Sequence, residues 1–495
     1  VTGVQTCALP IFSTELVQGS QHFVGHQLLY DNLLTFGDAL RGADWELGIP
    51  IPGRIPQRHD LRVFGGGYHY NGTSVQGFTG WKARAQLNVI QNLVVQLEVM
   101  NDKIFDTSVV FGATWTYGGF RQPDDQKRTQ FDRMTEMVRR GYNIAVARIP
   151  VVDKDKIAIN PVTNQPYFFE HVASYAPALG ANGTVEHPWQ NITLAQTALN
   201  ATFPNPLDQR GNIIYVHANS TYTSGPDNTV TLIPSVRILG EGTYVDTNNV
   251  RQDVKHTIQI SGLGNVLLPR ATPTTFINRP LFANQLGDAV TLVSGSAAAS
   301  SEFSGFQIGD PTIASSGPAG RGMVGDGVAN VIANQNDINF AKGDGVFLNA
   351  ISGQVTMNGT VINNLGDPVN EIALHITNAA NGGRFNFGKE SNTSRTSRIN
   401  HEVPVGSLGG YSLSIDGTSA GSIIDMRNSD IFDGALQPVR RGGGVRLNNI
   451  NGQALLNNMT LVNTNGDGIE LSGGAGAGSR VSFVGAITVN GAATD

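Results

Sequence analysis

Few residues of this 495-residue chain have the type and spacing that chemistry needs. Glycoside hydrolysis requires two carboxylates flanking one bond, and calcium requires a cluster of oxygen ligands. Asp326, Asp337 and Asp344 lie in one stretch, but each adjoins Gly or Asn in a turn phrase. A turn Asp usually serves its own backbone, so the structural reading outweighs the catalytic one. His187, His217, His256 and His375 are isolated, with no HxH or HxxxH spacing for zinc. Arg440-Arg441 beside a glycine run reads as a surface patch or a solvated turn, and Ser391–Arg398 as a polar loop. No phosphate-binding loop or serine nucleophile elbow is present in the sequence. No catalytic residue, metal ligand or cofactor follows from these patterns. Catalysis stays open only because a repetitive scaffold can assemble a site from residues far apart.

Composition describes the scaffold. Charged residues make up 15% of the chain, against roughly 25% in an average soluble domain. Gly reaches 60 residues and Pro 22, which suits an all-β chain with many turns. The net charge of −6 argues against nucleic acid as a partner. No apolar stretch approaches the roughly 18 residues of a membrane helix, which leaves a membrane barrel open.

Val1–Ile11, VTGVQTCALPI, back-translates into a common sequencing-adapter primer, and residues 1–11 are read as translated adapter rather than protein. On that reading the only cysteine, Cys7, drops out, and with it thiol chemistry. The natural start and any signal peptide would then lie outside the sequence.

From Phe12 to Phe120 the chain alternates. Val75, Gly77, Thr79, Trp81, Ala83, Ala85, Leu87 and Val89 oppose Gln76, Phe78, Gly80, Lys82, Arg84, Gln86 and Asn88. Two more runs follow, at 93–100 and 108–118, and one precedes, at 43–51. Leu61–Tyr70 is weaker, because three central glycines blur its faces. Runs of about ten residues, apolar on one side and polar or small on the other, are what a transmembrane barrel strand requires. Trp45, Trp81 and Trp115 all fall on apolar faces and suit aromatic anchoring at a lipid interface. A soluble sandwich with one buried face shows the same alternation. Lys82 and Arg84, regularly placed opposite Trp81, favour a wet barrel lumen.

The phrases WELGIPIP, DLRVFGGGYHYNG, GWKARAQLNVIQNLVVQLEVMND and VFGATWTYGGF, within Trp45–Phe120, resemble the β-domain of intimin/invasin-type inverse autotransporters. The resemblance implies the later strands of an outer-membrane barrel, a lipid partner and the barrel-assembly machinery. Residues 121–181 read as a linker with one helix. Pro123, Asp124 and Asp125 start it, Phe131, Met134 and Val138 share a face, and Gly141 ends it. It would thread a lumen or cap the next domain.

Residues 182–495 read as a solenoid. Short apolar runs recur between Gly/Asn turns, among them Ile213–Val216, Val230–Ile233, Ile258–Ile260, Val290–Val293, Val346–Leu348 and Ile469–Leu471. GDGVFLNAISGQV from Gly343 aligns with GGGVRLNNINGQA from Gly442, and GDG recurs at Gly325, Gly343 and Gly466. Such self-similarity marks stacked coils sharing one core. Turn Asn can adopt left-handed geometry and stack in ladders; Asn448, Asn449, Asn457, Asn458 and Asn463 are the expected members. GTVEHPW, IIYVHANSTYT and VTLIPSVRILGEG resemble the opening coils of pectin-lyase-like β-helices. The resemblance raises lyase and hydrolase chemistry, but no GHG or RIK phrase of the pectin-hydrolase type occurs. The sequence ends in apparent mid-coil, which reads as truncation.

The expected fold is therefore all-β: a partial antiparallel transmembrane β-barrel over 12–120, then a right-handed parallel β-helix over 182–495. The expected function is surface display from a bacterial outer membrane, with an extracellular β-helix passenger contacting a glycan or another cell surface. Two alternatives stand beside it, a secreted polysaccharide lyase or hydrolase and a structural solenoid without an anchor.

Overall fold

The computed structural model describes residues 13–490 except 54–58, 73–75, 91–92, 116–145, 224–225, 247–248, 273–276, 365–370, 391–394, 405–409, 435–439, 443, 463–467, 475 and 477. The helix expected over 123–141 lies outside the described residues, as does Asn463. Nearly all the described structure is β, and the chain forms two compact units.

The first unit contains a five-stranded antiparallel meander: Arg41–Pro50, Arg62–Asn71, Phe78–Ile90, Leu93–Asp102 and Asp106–Trp115. Arg62–Asn71 pairs along its whole length with both neighbours. Its glycines have a steric purpose. A Cβ on Gly66 would meet the Trp45 carbonyl, and one on Gly67 would press on the Trp45 indole at 3.2 Å.

The second unit is a parallel β-helix. In one ladder Ser301–Ser304, Val331–Ile332, Gln354–Thr356, Arg384–Asn386 and Ile423–Met426 stack in parallel. A second ladder of the same long sheet begins at Thr221–Tyr222 and runs through Leu281–Phe282, Gln307–Ile308, Asp337–Asn339 and Val361–Asn364. The third face is an eight-stranded sheet that includes Met323–Asp326, Val346–Asn349, Leu374–Ala379, Leu413–Thr418, Val445–Ile450 and Ile469–Ser472. Each coil contributes three strands, and alternate side chains point into one narrow core. Phe303 and Phe306 stack there with ring centroids 4.1 Å apart, among fully buried Ile338, Ile362, Phe385 and Ile424.

Several boundaries differ from the sequence reading. The parallel ladder opens at Phe169–Val172, ahead of residue 182, because these residues pair in register with Ile213–Val216. The supposed linker also carries strand Val146–Ile157. A helix, Ile192–Thr202, lies inside the region read as coils. The Asn191 side chain accepts from Leu194 N, and Asp227 accepts from Ile192 N and Thr193 N, so its first-turn donors are satisfied. Ile192, Ala195 and Leu199 turn inward and join the core. Ile258–Ile260 belongs to a hairpin, since Thr257–Ile260 pairs antiparallel with Gly264–Leu267. Residues 18–31 cluster with the solenoid rather than with the meander, because Phe23 packs on Phe169, His171 and Tyr215 of the first coils.

Candidate functional site

Two surfaces have the geometry for function, one in each unit. The first is the meander, whose faces are inverted relative to a water-soluble sheet. Trp45, Gly67 and Trp81 form one cross-strand row, and Leu47, Gly65, Ala83 and Val99 form the next. This apolar side faces outward: Trp45 is 67% exposed, Leu47 73% and Phe111 70%, with Trp81 and Trp115 also more than half exposed. The other side carries the charges. Lys82, only 8% exposed, pairs with Asp44 and with Glu46 at 3.0 Å. Arg84 Nη2 donates to Glu46 at 2.7 Å, and its guanidinium lies 4.0 Å over the Phe64 ring. Tyr68 donates to Asp102 at 2.5 Å. Each large apolar side chain left in water forgoes about 1.5–3 kcal/mol of burial. In a lipid solvent the same face is the favourable one.

The second surface is the outward side of the eight-stranded sheet. Its central column runs Val324, Phe347, His375, Ser414, Arg446 and Glu470 in register. The guanidinium of Arg321 stacks over Phe347 at 4.2 Å, and the edge of His375 meets the same ring with centroids 5.1 Å apart. His375 Nδ1 lies 3.0 Å from Asp344 Oδ2, while Asp344 Oδ1 accepts from Ile372 N. Arg446 lies over Tyr411 at 4.9 Å, and the Tyr411 hydroxyl donates to Glu470 at 2.7 Å. Burial, reinforced by the Glu470 carboxylate, pushes the Tyr411 phenol above its ordinary value.

A parallel column runs beside it: Asp326, Asn349, Thr377, Asp416, Asn448 and Ser472. Asn349 donates to Asp326 at 2.7 Å, Thr377 to Asn349 at 2.8 Å and Asn448 to Asp416 at 2.9 Å. The next residues, Gly327, Ala350, Asn378, Gly417, Asn449 and Gly473, all have positive φ. One left-handed residue per coil thus turns the chain off this face.

Of the five asparagines expected in turns, Asn449 occupies this left-handed position and Asn448 stands in the outward column. Asn457 and Asn458 lie within strand Gln453–Val462, where a register shift accommodates them. A turn ladder exists elsewhere: Asn334 Oδ1 accepts from Asn358 N, and Asn358 Oδ1 from Gly388 N. The GDG phrases are not equivalent. Asp326 ends a strand, while Asp344 precedes one. Asp337 is buried between Arg279 and Arg395, which outweigh the effect of burial and hold its carboxyl below the usual range. His256 donates Nε2–H to Gly240 O at 2.8 Å, a packing role. Arg440–Gly442 pairs antiparallel with Glu402–Pro404, and Arg395 of the polar insertion lies over Tyr244.

The Asp344–His375 pair and His171, which bonds His217, were missed from sequence. The repeat of GDGVFLN was the available signal for the former, because it sets Val346 and Val445 in one column, although the coils between them differ in length. Among the described residues no group of three or more His, Cys, Asp or Glu is arranged to hold a metal ion.

No protein-family model matches the chain, and no curated protein does. Among solved structures, the crystal structure of a periplasmic alginate epimerase aligns over 58% of this chain and 67% of its own, at 11% identity and a TM-score of 0.19.

Proposed function

We propose that this protein is a surface-display protein of a bacterial outer membrane, in which the meander contributes lipid-facing wall and the solenoid contacts a glycan outside. The observation that carries the reading is the inversion of the meander, with Trp45, Leu47, Trp81, Phe111 and Trp115 outward and the Lys82–Glu46–Arg84 network inward. Charges on one side and aromatics on the other suit a strand between water and lipid. By the autotransporter resemblance, the barrel-assembly machinery would insert it.

The eight-stranded sheet supports the second half of the reading. Its stacked rungs recur at about 4.8 Å, close to the length of one pyranose ring. Phe347 and Tyr411 supply ring faces for C–H stacking, and the column from Asp326 to Ser472 supplies acceptors and donors with lone pairs left over. Asp326, Asp344, Asp416 and Glu470 outnumber Arg321 and Arg446, so the face favours a neutral sugar chain over a uronate polymer.

The test uses source cells. Antibody is raised to residues 182–495, intact cells are treated with external protease, and the signal is followed against a periplasmic control. Loss of the solenoid with survival of the control is expected. Survival of the solenoid on intact cells, with loss only after permeabilisation, would place it inside and defeat the reading.

A further inference from the structure

The first coil of the solenoid holds a pair of imidazoles that no surface contact requires. His171 Nδ1 lies 3.1 Å from His217 Nε2, and His171 is 0% exposed. The other His171 nitrogen, Nε2, is buried without a hydrogen-bond partner. Over these rings lies the hairpin formed by His22–Val24 and the start of Gln27–Ala39, with Phe23 seated edge-on against His171 at 4.8 Å. We propose that hairpin 18–31 is a clasp on the first coil that acid opens, with the His171–His217 pair as its trigger.

The argument is one of uncompensated charge. At neutral pH both rings are uncharged and one donates to the other. With Nδ1 donating to His217, a proton added to His171 goes to Nε2, which has no acceptor among the described residues, so an unpaired cation would be buried beneath Phe23. The neighbouring charges do not rescue it. Glu241 attracts a proton to His217, but its carboxylate already accepts from Ala218 N, Ala271 N and Thr272 N. Glu170 is pushed up to about 7 by burial, against the pull of the Trp189 N–H, and so becomes neutral as the pH falls. His26, on the hairpin, disfavours a charge on His171, and Arg270 lies near Tyr215 in the same layer. Burial and these neighbours hold His171 well below the ordinary imidazole value.

The clasp is also held by backbone bonds from Phe169 N to His26 O, Val185 N to Gly25 O and Ala158 N to Leu28 O, by the buried Leu28 and Tyr30, and by His26 stacked on Phe168. His26 Nδ1 donates to Phe169 O, Gly25 N donates to Glu186 Oε1, and Asp155 N donates to Asp31 Oδ1. His22, 3.7 Å from Asp155, lies at the exposed edge, where an ion pair contributes little. Release of Phe23 lets water reach Nε2 and removes the penalty.

The sign follows from the lowered imidazole. Clasp stability is complete above the unfolded value near 6.5 and is lost as pH falls from there through the folded value. Hydrogen exchange on the full chain in detergent micelles, corrected for intrinsic rates, reads this directly. Protection of amides 22–31 is expected to fall about tenfold per pH unit below roughly 6.5, while strands such as Val346–Asn349 stay protected. In His171→Phe, which preserves the ring packing, the pH dependence is expected to vanish. If that variant does not fold, His171→Gln serves instead. The proposal is overturned if protection of 22–31 is independent of pH, if both variants retain the dependence, or if all strands lose protection together.

Discussion

The meander uses strands of 10 to 13 residues and the solenoid mostly far shorter ones, such as the four-residue Val346–Asn349, yet both alternate, and they place their apolar residues on opposite sides. In the solenoid, Phe303, Ile338 and Leu348 are sealed and the charged residues line the outside or meet in closed pairs. In the meander, Trp45 and Leu47 stand outside and Lys82 is enclosed. Alternation therefore shows that a strand has two environments, not which of them is water. That information comes from the polar residues. Lys82, Arg84, Asp44 and Glu46 form a network on one face, which no apolar core would accept.

The contrast is sharpest if one kind of deletion is made in both regions. Phe303→Ala should cost the solenoid about 3–5 kcal/mol in denaturant unfolding, because its ring stacks on Phe306 in a sealed core. Phe111→Ala in the meander should leave solenoid stability unchanged, because that ring touches no core. Equal losses would erase the distinction between the regions. A smaller effect distinguishes solvent from lipid: Leu47→Lys should disfavour vesicle insertion by about 2–4 kcal/mol if its position is near the bilayer midplane, with no effect on the solenoid melting temperature. A Lys tolerated equally in vesicles would argue for a water-exposed face.

Within the solenoid, Glu170 gives a further test. Its folded value of about 7 exceeds the ordinary 4.5, so it stabilises the fold fully below 4.5 and progressively less as pH rises towards 7. Each pH unit in that window is worth about 1.4 kcal/mol at most. Glu170→Gln should flatten this part of the stability profile, and an unchanged slope would show that the carboxyl is not the cause. Smallest is the loss of the helix cap: Asn191→Ala should lower stability by about 1 kcal/mol, read as a small shift in the denaturant midpoint.

Much of this architecture was legible in the sequence, and the failures have physical causes. The strands Arg41–Pro50, Phe78–Ile90, Leu93–Asp102 and Asp106–Trp115 follow the alternation closely. Arg62–Asn71 was faint because Gly65–Gly67 carry no side chains to mark a face, and it is the smallness of Gly66 and Gly67 that admits Trp45. The repeat between Gly343 and Gly442 identified one column of one sheet. Asp344 and His375 were not joined, because coil length varies and a pair one coil apart has no fixed spacing. His171 and Phe23 were missed for a different reason: their contact links segments separated by more than the whole meander. Helix Ile192–Thr202 carried a readable signal, Asn191 followed by Ile192, Ala195 and Leu199, which the expectation of coils overrode.

The central claim, that the exposed face of the meander meets lipid, can be measured with the protein's own tryptophans. Trp45, Trp81 and Trp115 lie on that face, while Trp189 packs against the solenoid core and donates to Glu170. The chain in bilayers containing bromine-labelled acyl chains should show strong quenching of the first three. A variant retaining only Trp189 should show none. Absence of bromine quenching in the parent chain, with efficient quenching by aqueous acrylamide, would contradict the account.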